Sequence, residues 1–201
     1  MELCGLIVGL GNPGGEYEHT RHNFGFMAVG RLLAALEKHH STRLLSGKSD
    51  PFRLWRCAVP GKDRADWLVA TPLTYMNKSG DAVQRIAAYY RIEPENILVL
   101  HDELDLPLGR MKMKKGGGNA GHNGLRSIQQ MLGTPDFYRL RLGIGKPAGF
   151  DGASFVLSRF SQDERPLLEK TLEAAAQSAL LFMSQGPKKA QEFSNGFHAP
   201  E

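Results

Sequence analysis

Hydrophobic positions along this chain switch repeatedly between a strand-like and a helix-like period, and the switches mark its elements. CGLIVGL near the start is an almost unbroken apolar run, the pattern of a strand covered on both faces. From Phe24 to Lys38 the period becomes helical, with Phe26, Val29, Leu32, Leu33 and Leu36 on one stripe. FRLWRCAV and DWLVAT read as strands around the turn PGKDRA, the spacing of an antiparallel hairpin. Ser79 to Arg91 is a second helix, Ile97 to His101 a short strand ending at a cluster of carboxylates, and Asn123 to Leu132 a third helix emerging from a glycine loop. In GRMKMKK strict alternation sets Arg110, Lys112 and Lys114 against Met111 and Met113. In YRLRLGI it sets Arg139 and Arg141 outward and Tyr138, Leu140, Leu142 and Ile144 toward a core. Ser161 and Glu164 have the spacing of a capping box for a long helix to about Gln185, and Gly186 with Pro187 separates a last helix ending near Asn195. Strands interleaved with helices predict an α/β fold with a mixed, mostly parallel β-sheet flanked by helices. The length suits a single domain over residues 1–201.

Charge changes the picture once it is located. Between His101 and Pro147 stand eight basic residues and four acidic ones, so this segment carries the chain's whole excess of +4. Two basic strand faces beside GGG fit a phosphate cradle, since clustered cations attract a polyanion and bare backbone N–H groups can meet its oxygens; the same pattern also suits two amphipathic strands with solvated charges. No apolar run approaches the roughly 20 residues that span a bilayer, and the start has no basic n-region, so the expected location is the cytoplasm. Cys4 and Cys57 lack CxxC spacing; neither a disulfide framework nor a zinc site is expected, and both are read as reduced and buried.

The stretch TRHNFGF places His22 just before an apolar helix, where a side chain titrating near neutrality can serve as a proton-transfer centre or simply as a hydrogen-bonded turn residue. Asn12, Thr71 to Asn77 and His101 to Asp105 fall just past predicted strand ends, the place where ligands gather on open α/β sheets. GLGNPG also fits the GxGxxG of dinucleotide sites. Pro13 removes a needed N–H, no helix follows directly, and no acidic strand end stands about 20 residues on, which weakens that reading. GxSxG and HExxH are absent. His101, Asp102, Glu103, Asp105 and His122 could assemble a metal site, although no spacing is diagnostic.

Taken in order, LIVGLGNPGGEYEHTRHNFGF, PLTYMN, HDELDLPLG and KKGGGNAGHNGL make the chain similar to bacterial peptidyl-tRNA hydrolases over about residues 6–145, with a weaker match through FVLSRF and the C-terminal helices. The resemblance implies a metal-independent enzyme with no cofactor that hydrolyses the ester between a peptide and the 3′ end of tRNA, recycling peptidyl-tRNA dropped from ribosomes. It implies His22 as general base and Asp102 as its partner; Glu103 or Asp105 would take that role if the strand ended one residue differently. Asn12, Asn77 and Asn123 match the substrate-binding asparagines; alone, each also suits a turn, and Asn77 could cap its helix. Tyr75 and Met76 belong to the same substrate wall, with Tyr75 where phenylalanine is frequent, and Tyr17 is a candidate to stack on the terminal adenine. His122 belongs to the signature as a residue shaping the loop. Lys114 and Arg141 match a clamp for the tRNA 5′ phosphate, with Lys112 and Arg110 as weaker members of the face. KPAGFDGAS is a loop at the place of a lid. The expected partner is the 3′ end and acceptor stem of peptidyl-tRNA, with no membrane, no metal and a monomeric protein; the alternative is a non-catalytic RNA-binding module of the same fold.

Overall fold

The computed structural model describes residues 3–39, 41–59, 66–146, 149 and 151–200. In chain order its elements are β1 (Leu3–Gly9), α1 (Phe24–His39), β2 (Thr42–Leu44), β3 (Phe52–Ala58), β4 (Asp66–Pro72), α2 (Ser79–Tyr90), β5 (Ile97–Glu103), β6 (Met111–Lys115), α3 (Asn123–Leu132), β7 (Tyr138–Gly143), α4 (Gly152–Val156), α5 (Arg165–Gln185) and α6 (Pro187–Gly196). The strands form one sheet of order β2-β3-β4-β1-β5-β7-β6. Its centre, β4-β1-β5-β7, is parallel, whereas β3 and β6 run against their neighbours. The tip of the β3–β4 hairpin, PGKDRA, lies outside the described residues.

Both faces of the sheet are covered, which is why the central strands read as continuous apolar runs. Ile7, Leu98, Leu100, Leu140 and Leu142 pack against α1 and α5 on one side. Leu6, Val8, Leu68, Ala70 and Val99 pack against α2 and α3 on the other. Burying each of these valine, leucine and isoleucine side chains contributes roughly 1.5–3 kcal/mol. Gly25 sets how closely α1 approaches: a Cβ there would lie 2.3 Å from the Leu100 carbonyl oxygen and 2.4 Å from the Leu10 nitrogen. The first turn of α1 therefore rests directly on the ends of β1 and β5, and the residues just before it are delivered to the sheet's carboxyl edge.

Several sequence expectations shift. β5 continues through Asp102 and Glu103, and β4 runs one residue past DWLVAT to Pro72, because the neighbouring strands extend the ladder past the apolar run. α2 ends at Tyr90, with Arg91 in the left-handed region. Cys57 is buried but Cys4 is exposed; it sits at an irregularity in the β1–β4 register, before the β1–β5 pairing begins at Leu6. Arg139 does not face outward: it is fully buried on the α3 side. The Ser161–Glu164 box forms its reciprocal bonds at 2.8 and 3.3 Å, one residue ahead of α5. Part of KPAGFDGAS lies outside the described residues; from Gly152 it forms α4.

Candidate active site

β1 lies between β4 and β5, and the chain leaves β1 and β4 toward opposite faces, so a crevice opens where their carboxyl ends diverge. Asn12, His22, Tyr75, Met76, Asn77, Asp102, His122 and Asn123 border a cleft of about 510 Å³ there. Leu104, Asp105, Lys146 and residues of α4 also line it.

Strand alternation selects the acid. Leu98, Leu100 and Asp102 share the α1 face, toward the short turn Arg21–Asn23 that carries His22, whereas His101 and Glu103 point the other way. His22 Nδ1 lies 3.0 and 3.1 Å from the two oxygens of Asp102. Glu103 instead accepts a bond from Arg141 Nε at 2.8 Å, and Asp105 is exposed. A second imidazole completes the group: His122 Nε2 is 3.0 Å from Asp102 Oδ1. His122 is also the N-cap of α3, its Nδ1 accepting from the backbone N–H groups of Gly124 and Leu125 at 3.2 and 3.4 Å. An accepting Nδ1 places the ring proton on Nε2, so His122 donates to Asp102 as a neutral imidazole. His22 meets the same carboxylate through Nδ1, which leaves its Nε2 outside that contact. Burial opposes ionisation of Asp102, but the two imidazoles outweigh it and hold the carboxyl far below the usual carboxylate range.

Among the described residues, His22, Asp102 and His122 are the group with metal-ligand spacing, their donor atoms within 4.8 Å of one another. Two of those atoms are ring N–H donors to Asp102, so a cation would have to displace both protons. His101, Glu103 and Asp105 do not join them: His101 Nδ1 donates to the Asp102 carbonyl at 2.7 Å.

The asparagines are held to different degrees. Asn12 exchanges two bonds with Asn23, from its own N–H to Asn23 Oδ1 at 2.8 Å and from Asn23 Nδ2 to its carbonyl at 3.0 Å. Its Oδ1 accepts from the Met76 N–H at 2.7 Å, which fixes the amide orientation and leaves the NH2 group as a donor. Asn77 and Asn123 are exposed on the cleft wall, and Asn77 caps no helix: the N-cap positions nearby are Tyr75 and Lys78. Met76 is buried against Gly124, where a Cβ would sit 2.6 Å from its sulfur; only glycine lets α3 come this near. Tyr17 does not line the cleft, and its ring meets that of Tyr75 edge-on at 6.4 Å.

Arg21 joins the His22 turn to the wall. Its guanidinium makes two bonds to Glu164 at 3.0 and 2.7 Å and one to Ser158 Oγ at 3.2 Å, and lies 4.4 and 4.6 Å from the ring centres of Phe155 and Phe160. Glu164 is held below its ordinary value: burial pushes against this, but the bonds from Arg21 and Ser161 prevail. Arg21, Asn23 and the bond made by His122 escaped the sequence reading. The available signal was a run of polar residues, TRHN, immediately before an apolar helix, where side chains that need partners are brought to a buried edge.

Lys114 and Arg141 lie beside the cleft, not in its wall, on the face of β6 and β7 that also carries the exposed Lys112. Burial, then the charges of Arg141 and Arg139, pull the Lys114 ammonium below the ordinary lysine value. Arg110 lies just outside β6, bridged to His198.

A sequence profile described as peptidyl-tRNA hydrolase matches residues 6–201. The chain is 58% identical over 201 residues to the peptidyl-tRNA hydrolase of Nitratidesulfovibrio vulgaris strain Miyazaki F, covering 98% of each chain. It is 56% identical to that of Oleidesulfovibrio alaskensis, covering 97% of this chain and 98% of the relative. The crystal structure of peptidyl-tRNA hydrolase from Acinetobacter baumannii superposes with a TM-score of 0.85 at 35% identity, covering 98% of each chain. With a match of this extent in sequence and in fold, the chain belongs to the peptidyl-tRNA hydrolase family.

Proposed function

We propose that this protein hydrolyses the ester joining the terminal carbonyl of a peptide to the ribose at the 3′ end of tRNA, and that the cleft around Asp102 is where it does so. The observation that carries the reading is His22, bonded to a buried carboxylate through Nδ1 and bordering a cleft also lined by Asn12, Asn77 and Asn123. In this reading His22 Nε2 removes a proton from water as the water oxygen attacks the ester carbonyl. Asp102 holds the ring in the required tautomer and stabilises the imidazolium that forms. The amide NH2 of Asn12 and the side chains of Asn77 and Asn123 donate to the oxygen that becomes negative, without adding charge of their own. The tetrahedral intermediate collapses by breaking the carbon–ribose oxygen bond, and the imidazolium returns its proton to the departing hydroxyl.

Lys114 and Arg141 supply the hold on the tRNA, a positive surface that reads a terminal phosphate by charge and reach and not by base sequence. Tyr75, half open at the rim, and Met76 form the apolar side of the peptide path. The reaction belongs in the cytoplasm, where translation supplies the substrate. Among the described residues no helix is long and apolar enough to cross a membrane. The RNA-binding alternative is not favoured, because the base, the acid and the asparagines all meet at one cleft. Incubation with an N-blocked aminoacyl-tRNA, with and without EDTA, tests the proposal. Peptide release unaffected by chelation is expected; tRNA binding with no release would leave the RNA-binding module, and loss with EDTA reversed by zinc would replace the metal-free mechanism.

A further inference from the structure

Beneath the glycine-rich segment, three side chains that the proposed reaction does not use carry buried polar atoms with no partner among the described residues, and these atoms complement one another. Arg139 is fully enclosed. Its Nη1 donates to the Gly118 carbonyl at 2.7 Å and its guanidinium lies 4.7 Å from the Phe137 ring centre, while Nε and Nη2 have no acceptor. Val99 faces Arg139 and His101 faces Arg141 across β5 and β7, which makes His101 the diagonal neighbour of Arg139 on the same side of the sheet. His101 is 2% exposed, and with its Nδ1–H committed to the Asp102 carbonyl its Nε2 is a lone-pair acceptor without a donor. Asn119 follows Gly118; its Nδ2 goes to Gln129 Oε1 at 2.7 Å, and its Oδ1 is buried without a donor.

Unpartnered guanidinium N–H groups together with two unpartnered lone-pair atoms disfavour an anion, which the acceptors would repel, and a cation, which the guanidinium would repel. Water suits both, since it accepts and donates at once. We propose that a buried water joins Arg139, His101 and Asn119, and that Arg139 is a positioning residue for the Gly118–His122 segment and not a contact for tRNA. This rests on the catalytic reading of Asp102 and His122 given above. Each link of the segment is bonded: Arg139 holds the Gly118 carbonyl, the Asn119 carbonyl accepts the His122 N–H at 2.8 Å, and the His122 ring reaches Asp102. Complete burial above all pushes His101 down to about 3, so its Nε2 stays an acceptor at neutral pH.

Two measurements test this on the intact protein. In the labelled wild type, magnetisation transfer from a long-lived water to the Arg139 Nε–H, or a crystallographic water bonded to both Arg139 and His101 Nε2, is expected; a dry junction overturns the proposal. In kinetics, Arg139→Met should lower kcat on the order of 10-fold to 10²-fold by misplacing His122, with KM and the salt dependence of binding unchanged. Arg139→Lys, which keeps the charge but not the fork, should show the same kind of loss. A raised KM and a flattened salt dependence with kcat intact would make Arg139 a tRNA contact instead. Should the Met variant fail to fold, the Lys variant and the wild-type water measurement decide. Persistent turnover in His22→Asn would remove the catalytic reading while leaving the water result standing, so the two failures are separable.

Discussion

The cleft and the cationic face meet along β5 yet use opposite electrostatics. At Asp102 one enclosed carboxylate is shared by two imidazoles, with both bonded ring protons accounted for. A few residues away Lys112, Lys114 and Arg141 share one face, with Arg139 enclosed behind them, and among the described residues Glu103 alone is bonded to one of the three as a counter-charge. The first arrangement fixes where a proton resides; the second leaves positive charge open to a polyanion. In the proposed mechanism chemistry and grip are therefore carried by different atoms, and substitutions should separate kcat from KM.

The largest separation is expected at His22. His22→Asn should reduce kcat by about 10² to 10⁴ while the dissociation constant for tRNA stays near the wild-type value, measured by single-turnover hydrolysis and filter binding. A variant with most of its kcat would end the role of base. Asp102→Asn comes next, with a loss of about 10²-fold or more in kcat, since a neutral amide neither enforces the tautomer nor stabilises the imidazolium. Because Asp102 is held so far below the carboxylate range, the acid limb of the pH–rate profile should not follow its protonation. If Asp102→Asn moved the acid limb and left the plateau untouched, the assignment would be wrong.

On the other side of the comparison, Lys114→Ala and Arg141→Ala should raise KM by about tenfold and lower the slope of log affinity against log salt by about 0.7 to 0.9 for each phosphate no longer neutralised. kcat should hold. Lys114→Ala should be the stronger, because Arg141 already commits Nε to Glu103. Unchanged salt slopes in both variants would disconnect this face from tRNA.

The smallest effect belongs to His101, between the two regions. Its folded value of about 3 lies below the ordinary 6.5, so the unfolded chain binds more protons between those limits. The stability tied to its neutral state is complete above about pH 6.5 and drains as the pH falls toward 3, at no more than about 1.4 kcal/mol per pH unit. His101→Phe should lose less stability than the wild type between pH 6.5 and 4, measured by urea midpoints. Parallel losses would mean that His101 is not held neutral.

Much of this was legible in the chain. α3 begins and ends where the glycines and the apolar spacing put it, and the hairpin of β3 and β4 follows from alternation around a polar turn. His22, Asp102, Asn12, Met76, Asn77 and Asn123 come from distant segments to border one cleft. Alternation failed at Arg139 because period two assigns a side chain to a face of the sheet and does not say whether another layer covers it; α3 and its preceding loop cover this one. It failed at Cys4 for the converse reason, an apolar run reaching beyond its cover. The bond from His122 to Asp102 was beyond any local pattern, since it depends on how near α3 stands to β5, a distance set partly by Gly124 against Met76.

The Arg21 clasp has a mechanical corollary. Its guanidinium is gripped by the residue preceding α5 and by two rings flanking the segment after α4, while its backbone is continuous with His22 and donates to the Ser158 carbonyl at 2.9 Å. The proposed base and the α4 wall of the cleft are thus joined through one side chain, and pushing either end must swing the other. In the proposed mechanism, loosening α4 to widen the cleft for a bulkier peptide would therefore also detune His22, which ties tolerance toward substrates to the speed of cutting them.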